Sequence, residues 1–250
     1  MALYRGGQPM ALYRGGRLIS SPSKDPHYDN VVLLIEGSGR DYSKYRHPVT
    51  AVGGASFSDG IFKGNRNSYF EIDDPEEMCA VRFSAGNVFT IEWASWDHDT
   101  SGNDVGVVFG AGGATSDGNN SVIASTGTTI AARGRNIIRL SSAGAIAGSL
   151  YRGASAYGTT GLKRQAIVYD ATGVRWYVEG AFGQGGSTGG ALFRFSAGGK
   201  LHISGGIPSM TYTPHGVNFH SLRITKGVAR YTGVSTAING NYTPPGSFLD

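Results

Sequence analysis

The sequence predicts an all-β domain made of two packed antiparallel sheets, preceded by a short leader that does not belong to it. Composition is the first reason. Forty glycines, thirteen tyrosines and eleven phenylalanines in 250 residues suit many short strands joined by tight turns. Periodicity is the second. Leu222 and Ile224 alternate with Arg223 and Thr225, and Phe89, Ile91 and Trp93 alternate with Thr90 and Glu92, which is the period of a strand with one buried face. The third is that runs of Ala, Leu, Glu and Lys at helical spacing are missing. The length fits one sandwich, long enough to bury a core without covalent staples.

Charge sorts the function classes without choosing one. Charged residues make up 16% of the chain and the net charge is +4, scattered rather than gathered on one stretch as a nucleic-acid binder would have it. Mild basicity suits an acidic surface, a particle shell or an anionic envelope. Cys79 is the single cysteine, which rules out an intrachain disulfide, and its neighbours Met78, Ala80 and Val81 mark it as a small buried hydrophobe. No apolar run has the length of a signal peptide or of a membrane span, so assembly in a cytoplasm without export is expected.

Residues 1–24 read as an extended arm and 25–250 as the domain. Met1-Ala2-Leu3-Tyr4-Arg5-Gly6-Gly7 recurs word for word as Met10-Ala11-Leu12-Tyr13-Arg14-Gly15-Gly16. Two copies are too few for a solenoid. Each instead offers an apolar-aromatic knob beside an arginine, the composition of interface anchors, so Leu3, Tyr4, Arg5, Leu12, Tyr13 and Arg14 are the candidate partner-binding residues. A duplicated start region with an idle arm is the competing reading.

Along the domain, Val31-Val32-Leu33-Leu34-Ile35 is a continuous apolar run expected to be buried on both sides. Strands are also expected around 69–72 and 87–94. Shorter ones follow at 105–109, 121–125, 136–140 and 145–150. Gln165–Asp170 and Val174–Gly180 should form a hairpin around Ala171-Thr172-Gly173, with a further strand at 201–204. After the last strand, Val228-Ala229-Arg230-Tyr231 is expected to make one helical turn, and Tyr242-Thr243-Pro244-Pro245 stops regular structure.

The run Leu222-Arg223-Ile224-Thr225-Lys226-Gly227-Val228-Ala229-Arg230-Tyr231-Thr232 closely resembles the closing strand of the laminin-G/concanavalin-A-like jelly-roll domains of tailed-bacteriophage virion proteins. Asp25-Pro26-His27-Tyr28-Asp29-Asn30-Val31-Val32 is similar to that family's opening strand, and Phe89-Thr90-Ile91-Glu92-Trp93 to its "FTIEFW". Here Glu179-Gly180 stands where the family usually has Asp-Gly, and Gly233–Gly240 separates the closing motif from Pro244-Pro245 by more than is usual. The resemblance spans 25–95 and 163–248. It implies a jelly-roll sandwich and a non-enzymatic virion component, of the capsid-decoration or head-fibre type, anchored by its arm. Implied partners are major capsid protein or tail and baseplate subunits, with the chain as a homo-oligomer. The alternative it carries is a carbohydrate-binding adhesin of a tail fibre or tail tip.

Candidate chemistry is sparse. The same fold hosts glucanases, which need two carboxylates about 5–5.5 Å apart for a retaining reaction. Glu92 has no acidic neighbour on its strand face, and Asp97 and Asp99 sit in a polar loop, so no enzyme is expected. Asp97, Asp99 and Asp104 are weak candidates for calcium, which prefers hard oxygen ligands, but their spacing is not that of an EF-hand. Trp96, Tyr151, Tyr157, Tyr212 and His215 are the candidate glycan-binding residues, aromatic groups in or beside loops. Gly110–Gly113 lacks the Lys-Ser/Thr of a phosphate loop, and the six histidines are too dispersed for zinc.

Overall fold

The structure is a computed structural model of the whole chain. It describes residues 25–37, 39–63, 68–72, 88–95, 162–183, 185, 203 and 220–249 in full, and elsewhere the backbone pairing of strands. The architecture is an antiparallel two-sheet jelly-roll sandwich. Among the described residues the only helix is a single 3-10 turn, Tyr28–Asn30.

The leader contributes β1 (Tyr4–Arg5), β2 (Gln8–Pro9), β3 (Leu12–Arg14) and β4 (Arg17–Ser20). β1 pairs with β2 across Gly6-Gly7, and β3 with β4 across Gly15-Gly16, as two separate two-stranded units outside both large sheets. Gly-Gly between short strands is a hairpin signal.

The body strands follow in order. They are β5 (Val31–Glu36), β6 (Thr50–Val52), β7 (Ser56–Ser58), β8 (Ile61–Lys63), β9 (Tyr69–Asp73) and β10 (Phe89–Ser95). Next come β11 (Val105–Ala111), β12 (Val122–Gly127), β13 (Arg135–Ser142) and β14 (Ala145–Gly153). The chain finishes with β15 (Lys163–Asp170), β16 (Gly173–Val178), β17 (Ala181–Gly186), β18 (Lys200–Ile203), β19 (Pro214–Gly216) and β20 (Phe219–Lys226). The first sheet runs β17-β16-β15-β10-β20-β8-β7, with β5 also on β20. The second runs β14-β13-β12-β11-β18-β9-β6, with β19 parallel to β11. All four short strands expected between 105 and 150 are present, the last ending at Gly153 rather than at 150.

Phe89, Ile91, Trp93, Ile167, Trp176, Leu222 and Ile224 from the first sheet meet Phe70, Ile72 and Ile203 from the second in one core. Two turns explain local connections. Asp59 and Gly60 both have positive φ, 55° and 76°, as a two-residue hairpin turn between β7 and β8 requires. Glu179 and Gly180 do the same, at 47° and 73°, between β16 and β17. An acidic residue followed by glycine is thus a backbone requirement here.

Two expectations are corrected. β10 and β20 are not half-buried: Thr90 and Thr225 are fully buried, and Glu92 and Arg223 are nearly so. Their outer face is covered by residues 228–249, which cross the sheet without regular structure. The helical turn expected at 228–231 does not form, because those residues are held one by one to the sheet beneath. β5 is buried along its whole length, as its unbroken apolar run requires.

Candidate functional site

Register builds a charged cluster on that covered face. Glu92 of β10 lies directly opposite Arg223 of β20, while their neighbours Ile91 and Ile224 point into the core. Arg223 grips Glu92 with two parallel bonds, Nε to Oε2 at 2.6 Å and Nη2 to Oε1 at 2.7 Å. Its third nitrogen, Nη1, donates to Asp25 Oδ2 at 3.1 Å. Arg230 returns from the crossing segment and clamps both oxygens of Asp25, at 2.9 and 2.7 Å. It also donates from Nε to Thr225 Oγ1 at 2.8 Å. The Tyr231 hydroxyl donates to Glu92, and Phe248 lies against the Arg223 guanidinium, 4.5 Å from ring centre to Cζ.

Two carboxylates thus face two guanidiniums, each side chain less than a tenth exposed. Burial alone would raise the Asp25 pKa, but the Arg230 hydrogen bonds and the charges of Arg230 and Arg223 bring it below the ordinary carboxylate value. Burial, then the Glu92 charge, pushes the Tyr231 hydroxyl well above the usual phenol range. Glu92 is therefore a buried structural carboxylate with both oxygens engaged. Its role was legible in part: opposite charges on the polar faces of two strands that both alternate strictly are the signature of a cross-strand pair.

A second charged group sits at the β15–β16 turn. Asp170 accepts from Arg175 with both oxygens and from the Thr172 amide at 2.8 Å. Burial opposes the charge, but these bonds outweigh it and hold the Asp170 pKa at about 2. This cluster closes the two-residue turn between β15 and β16.

The third feature was missed from sequence. Residues 37–49 link β5 to β6, passing from one sheet to the other at the rim, and residues 41–47 lie along the free edge of β5. Asp41 is buried and organises the loop. Its Oδ1 accepts from the amides of Leu34 (3.0 Å) and Ser43 (2.8 Å), and its Oδ2 from Ser43 Oγ (2.7 Å) and the His47 amide (2.8 Å). Above it the Tyr45 and His47 rings stack in parallel, centroids 5.6 Å apart and 6° from coplanar. Lys44 Nζ lies 5.2 Å from the Tyr45 ring centre and donates to the Asp29 carbonyl at 2.8 Å. Arg46, at φ 60°, approaches the Tyr42 ring at 6.0 Å. Arg40, Lys44, Tyr45 and Arg46 are exposed. Tyrosines interleaved with basic residues in Tyr42-Ser43-Lys44-Tyr45-Arg46-His47 were the available signal.

The residues selected from sequence fall elsewhere. Trp96, Asp97, Asp99, Asp104, Tyr157, Tyr212 and Leu3 lie outside the described residues, as does Cys79. Tyr151 is placed by backbone pairing opposite Ile137 in β14, and His215 opposite Gly106 in β19. Tyr4 and Arg5 belong to β1, and Leu12, Tyr13 and Arg14 to β3. Of all these, the side chains lie outside the described residues. Among the described residues, no group of three or more His, Cys, Asp or Glu gathers as a metal-ligand set.

No protein-family model and no curated protein sequence matches the chain. Solved structures of similar fold do. The binding domain of botulinum neurotoxin serotype G matches with TM-score 0.60 and 16% identity, over 82% of this chain and 49% of that one. The serotype D ligand-binding domain, solved with N-acetylneuraminic acid, matches at 0.55 and 13%, over 79% and 48%. A type C structure, described as showing cell entry dependent on two ganglioside molecules, matches at 0.57 and 12%, over 80% and 48%. This chain spans about half the length of these neighbours, and at such identities the likeness is one of fold.

Proposed function

We propose that this chain is a non-enzymatic display domain of a tailed-phage virion. A rigid sandwich forms the body, rim loops face outward, and the leader attaches it to a capsid, tail or baseplate subunit. One observation carries the reading. The residues common to this chain and the virion jelly rolls (Asp25, Glu92, Arg223, Arg230 and Tyr231) converge in a single buried network that ties the C-terminal segment to the sheet. The shared text therefore writes a scaffold, in which Asp25 and Glu92 are both fully paired. Recognition then belongs to the loops. The repeated Leu-Tyr-Arg of the leader supports attachment, as two equivalent anchors on one chain. The test is deletion of residues 1–18. The truncated chain should fold with an unchanged melting temperature yet fail to join particles, and incorporation at full occupancy would refute the attachment role.

The rim loop favours a second reading, in which the displayed domain is a carbohydrate-binding adhesin for host surface glycans. Aromatic rings beside polar and charged groups on a pre-shaped loop are the usual means of holding a sugar. The neurotoxin neighbours are binding domains, one solved with a sialic acid. Half of each lies outside the match, so no sugar-binding residue carries across from them. Saturable retention of the intact chain on a glycan array supports this reading, and its absence refutes it.

A further inference from the structure

We infer that the rim loop over residues 40–47 is a binding site for an anionic saccharide, one bearing a carboxylate or phosphate, with Tyr45 as the aromatic contact and Lys44 and Arg46 as the cations. This rests on the adhesin reading and goes beyond the display role.

The loop is built to hold one shape. Asp41 is 4% exposed, and its two oxygens accept four hydrogen bonds from groups within the loop and from β5. A buried carboxylate satisfied in this way fixes the backbone that presents Lys44, Tyr45 and Arg46. Arg46 is held at φ 60°, an unfavourable conformation for a long side chain that surrounding structure must enforce. Covering the β5 edge accounts for Asp41 and for His47, whose Nε2 lies 3.2 Å from the Val32 carbonyl oxygen, but not for the exposed Tyr45 beside Lys44 and Arg46.

Charge selects the ligand. Three carboxylates around the loop, Glu36, Asp41 and Asp25, are turned inward. Glu36 accepts the Phe248 amide at 2.6 Å, Asp41 serves the loop, and Asp25 is clamped by Arg230. Arg40, Lys44 and Arg46 are exposed, with Arg46 Nη1 donating to the Asp41 carbonyl at 3.4 Å. Asp29 is exposed, and it is its backbone carbonyl that holds Lys44. The result is a small aromatic cluster bordered by cations rather than the long basic track a nucleic acid needs. Tyr45 is 36% exposed, with His47 stacked on its ring and Lys44 beside it.

The experiment presents the full chain to an array of acidic glycans, some capped with N-acetylneuraminic acid, others carrying uronic acids or sugar phosphates. Each is paired with the same glycan lacking the acidic group. Two variants accompany it, Tyr45→Ala and the double Lys44→Gln/Arg46→Asn. Asparagine tolerates the positive φ, and melting curves verify that both variants fold. Expected are retention on acidic members above their neutral partners, a loss of about tenfold or more in each variant, and weakening with salt. Retention only on neutral glycans, or retention that both variants leave unchanged, overturns the site while the adhesin reading stands. Equal binding to a polyglutamate peptide also overturns it, marking a mere charge patch. Retention on nothing overturns both, and leaves the display role to the leader deletion.

Discussion

The network on the outer face of the first sheet can be tested by taking it apart in pairs. Glu92 and Arg223 are joined by two short bonds, with side chains 3% and 6% exposed. Arg223→Met keeps much of the apolar stem, loses the guanidinium that lies against Phe248, and leaves Asp25 and Glu92 facing only Arg230, one buried negative charge in excess. Glu92→Met leaves the opposite excess. Removing one partner of a buried pair costs about 3–5 kcal/mol, so each single variant should lose that much. At about 2–4 °C per kcal/mol for a chain of this size, the melting temperature should fall by about 6–20 °C. The double variant Glu92→Met/Arg223→Met removes one charge of each sign and leaves Asp25 with Arg230, still balanced. It should cost no more than about 3 kcal/mol, a coupling of at least about 3 kcal/mol between the two sites. Thermal unfolding of the four proteins measures the cycle. A double variant that loses the full sum of the singles would show two residues acting independently. Singles that each cost under about 1 kcal/mol would show a pair behaving as though exposed. Either result would refute the network.

Two further predictions follow from the same face. The Asp25 pKa lies below its unfolded value of 3.8, so its contribution is complete above that pH and is lost as pH falls through the folded value. Melting curves of the native chain and Asp25→Asn should therefore be separated at pH 7 and converge below pH 3.8. Asp170, held at about 2, loses its share between 3.8 and about 2. At the alkaline end Tyr231 and Tyr242 are raised above 10.0, so stability should decline as pH rises past 10, where unfolding releases phenolic protons. Parallel curves for the native and Asp25→Asn proteins would contradict the acid limb. Gly180→Ala probes the docking of the crossing segment: at φ 73° a Cβ would sit 2.1 Å from the Tyr242 carbonyl oxygen and 2.9 Å from Asn239 Cα. Both are backbone atoms, so the expected loss is about 2–4 kcal/mol, with faster amide exchange over 233–242. Gly54→Ala, at φ 84° with open space around it, should cost only about 1 kcal/mol.

The core was legible because it depends on periodicity, and the outer face was not because it depends on closure. Alternation in 89–93 and 222–225 correctly placed Phe89, Ile91, Trp93, Leu222 and Ile224 on one side. The polar letters between them were taken for solvent-facing residues, since period two records which residues share a face and says nothing of what lies beyond it. What lies there is residues 228–249, held by Thr90 at the Val228 carbonyl (2.9 Å) and the Arg230 amide (3.1 Å), by Arg230 on Asp25, and by Phe248 on Glu36. Those contacts join residues more than 130 positions apart, a separation at which local pattern carries no information. The rim loop escaped notice for a related reason. Asp41 reads as an ordinary turn former, and only its folded position beside Leu34 and His47 reveals a buried carboxylate shaping an exposed surface. Scaffold and recognition thus sit on opposite sides of the same chemistry here. Where charges turn inward and pair, as at Glu92 and Arg223, they build the fold. Where they stay exposed beside a ring, as at Lys44, Tyr45 and Arg46, is where a property particular to this chain should be sought.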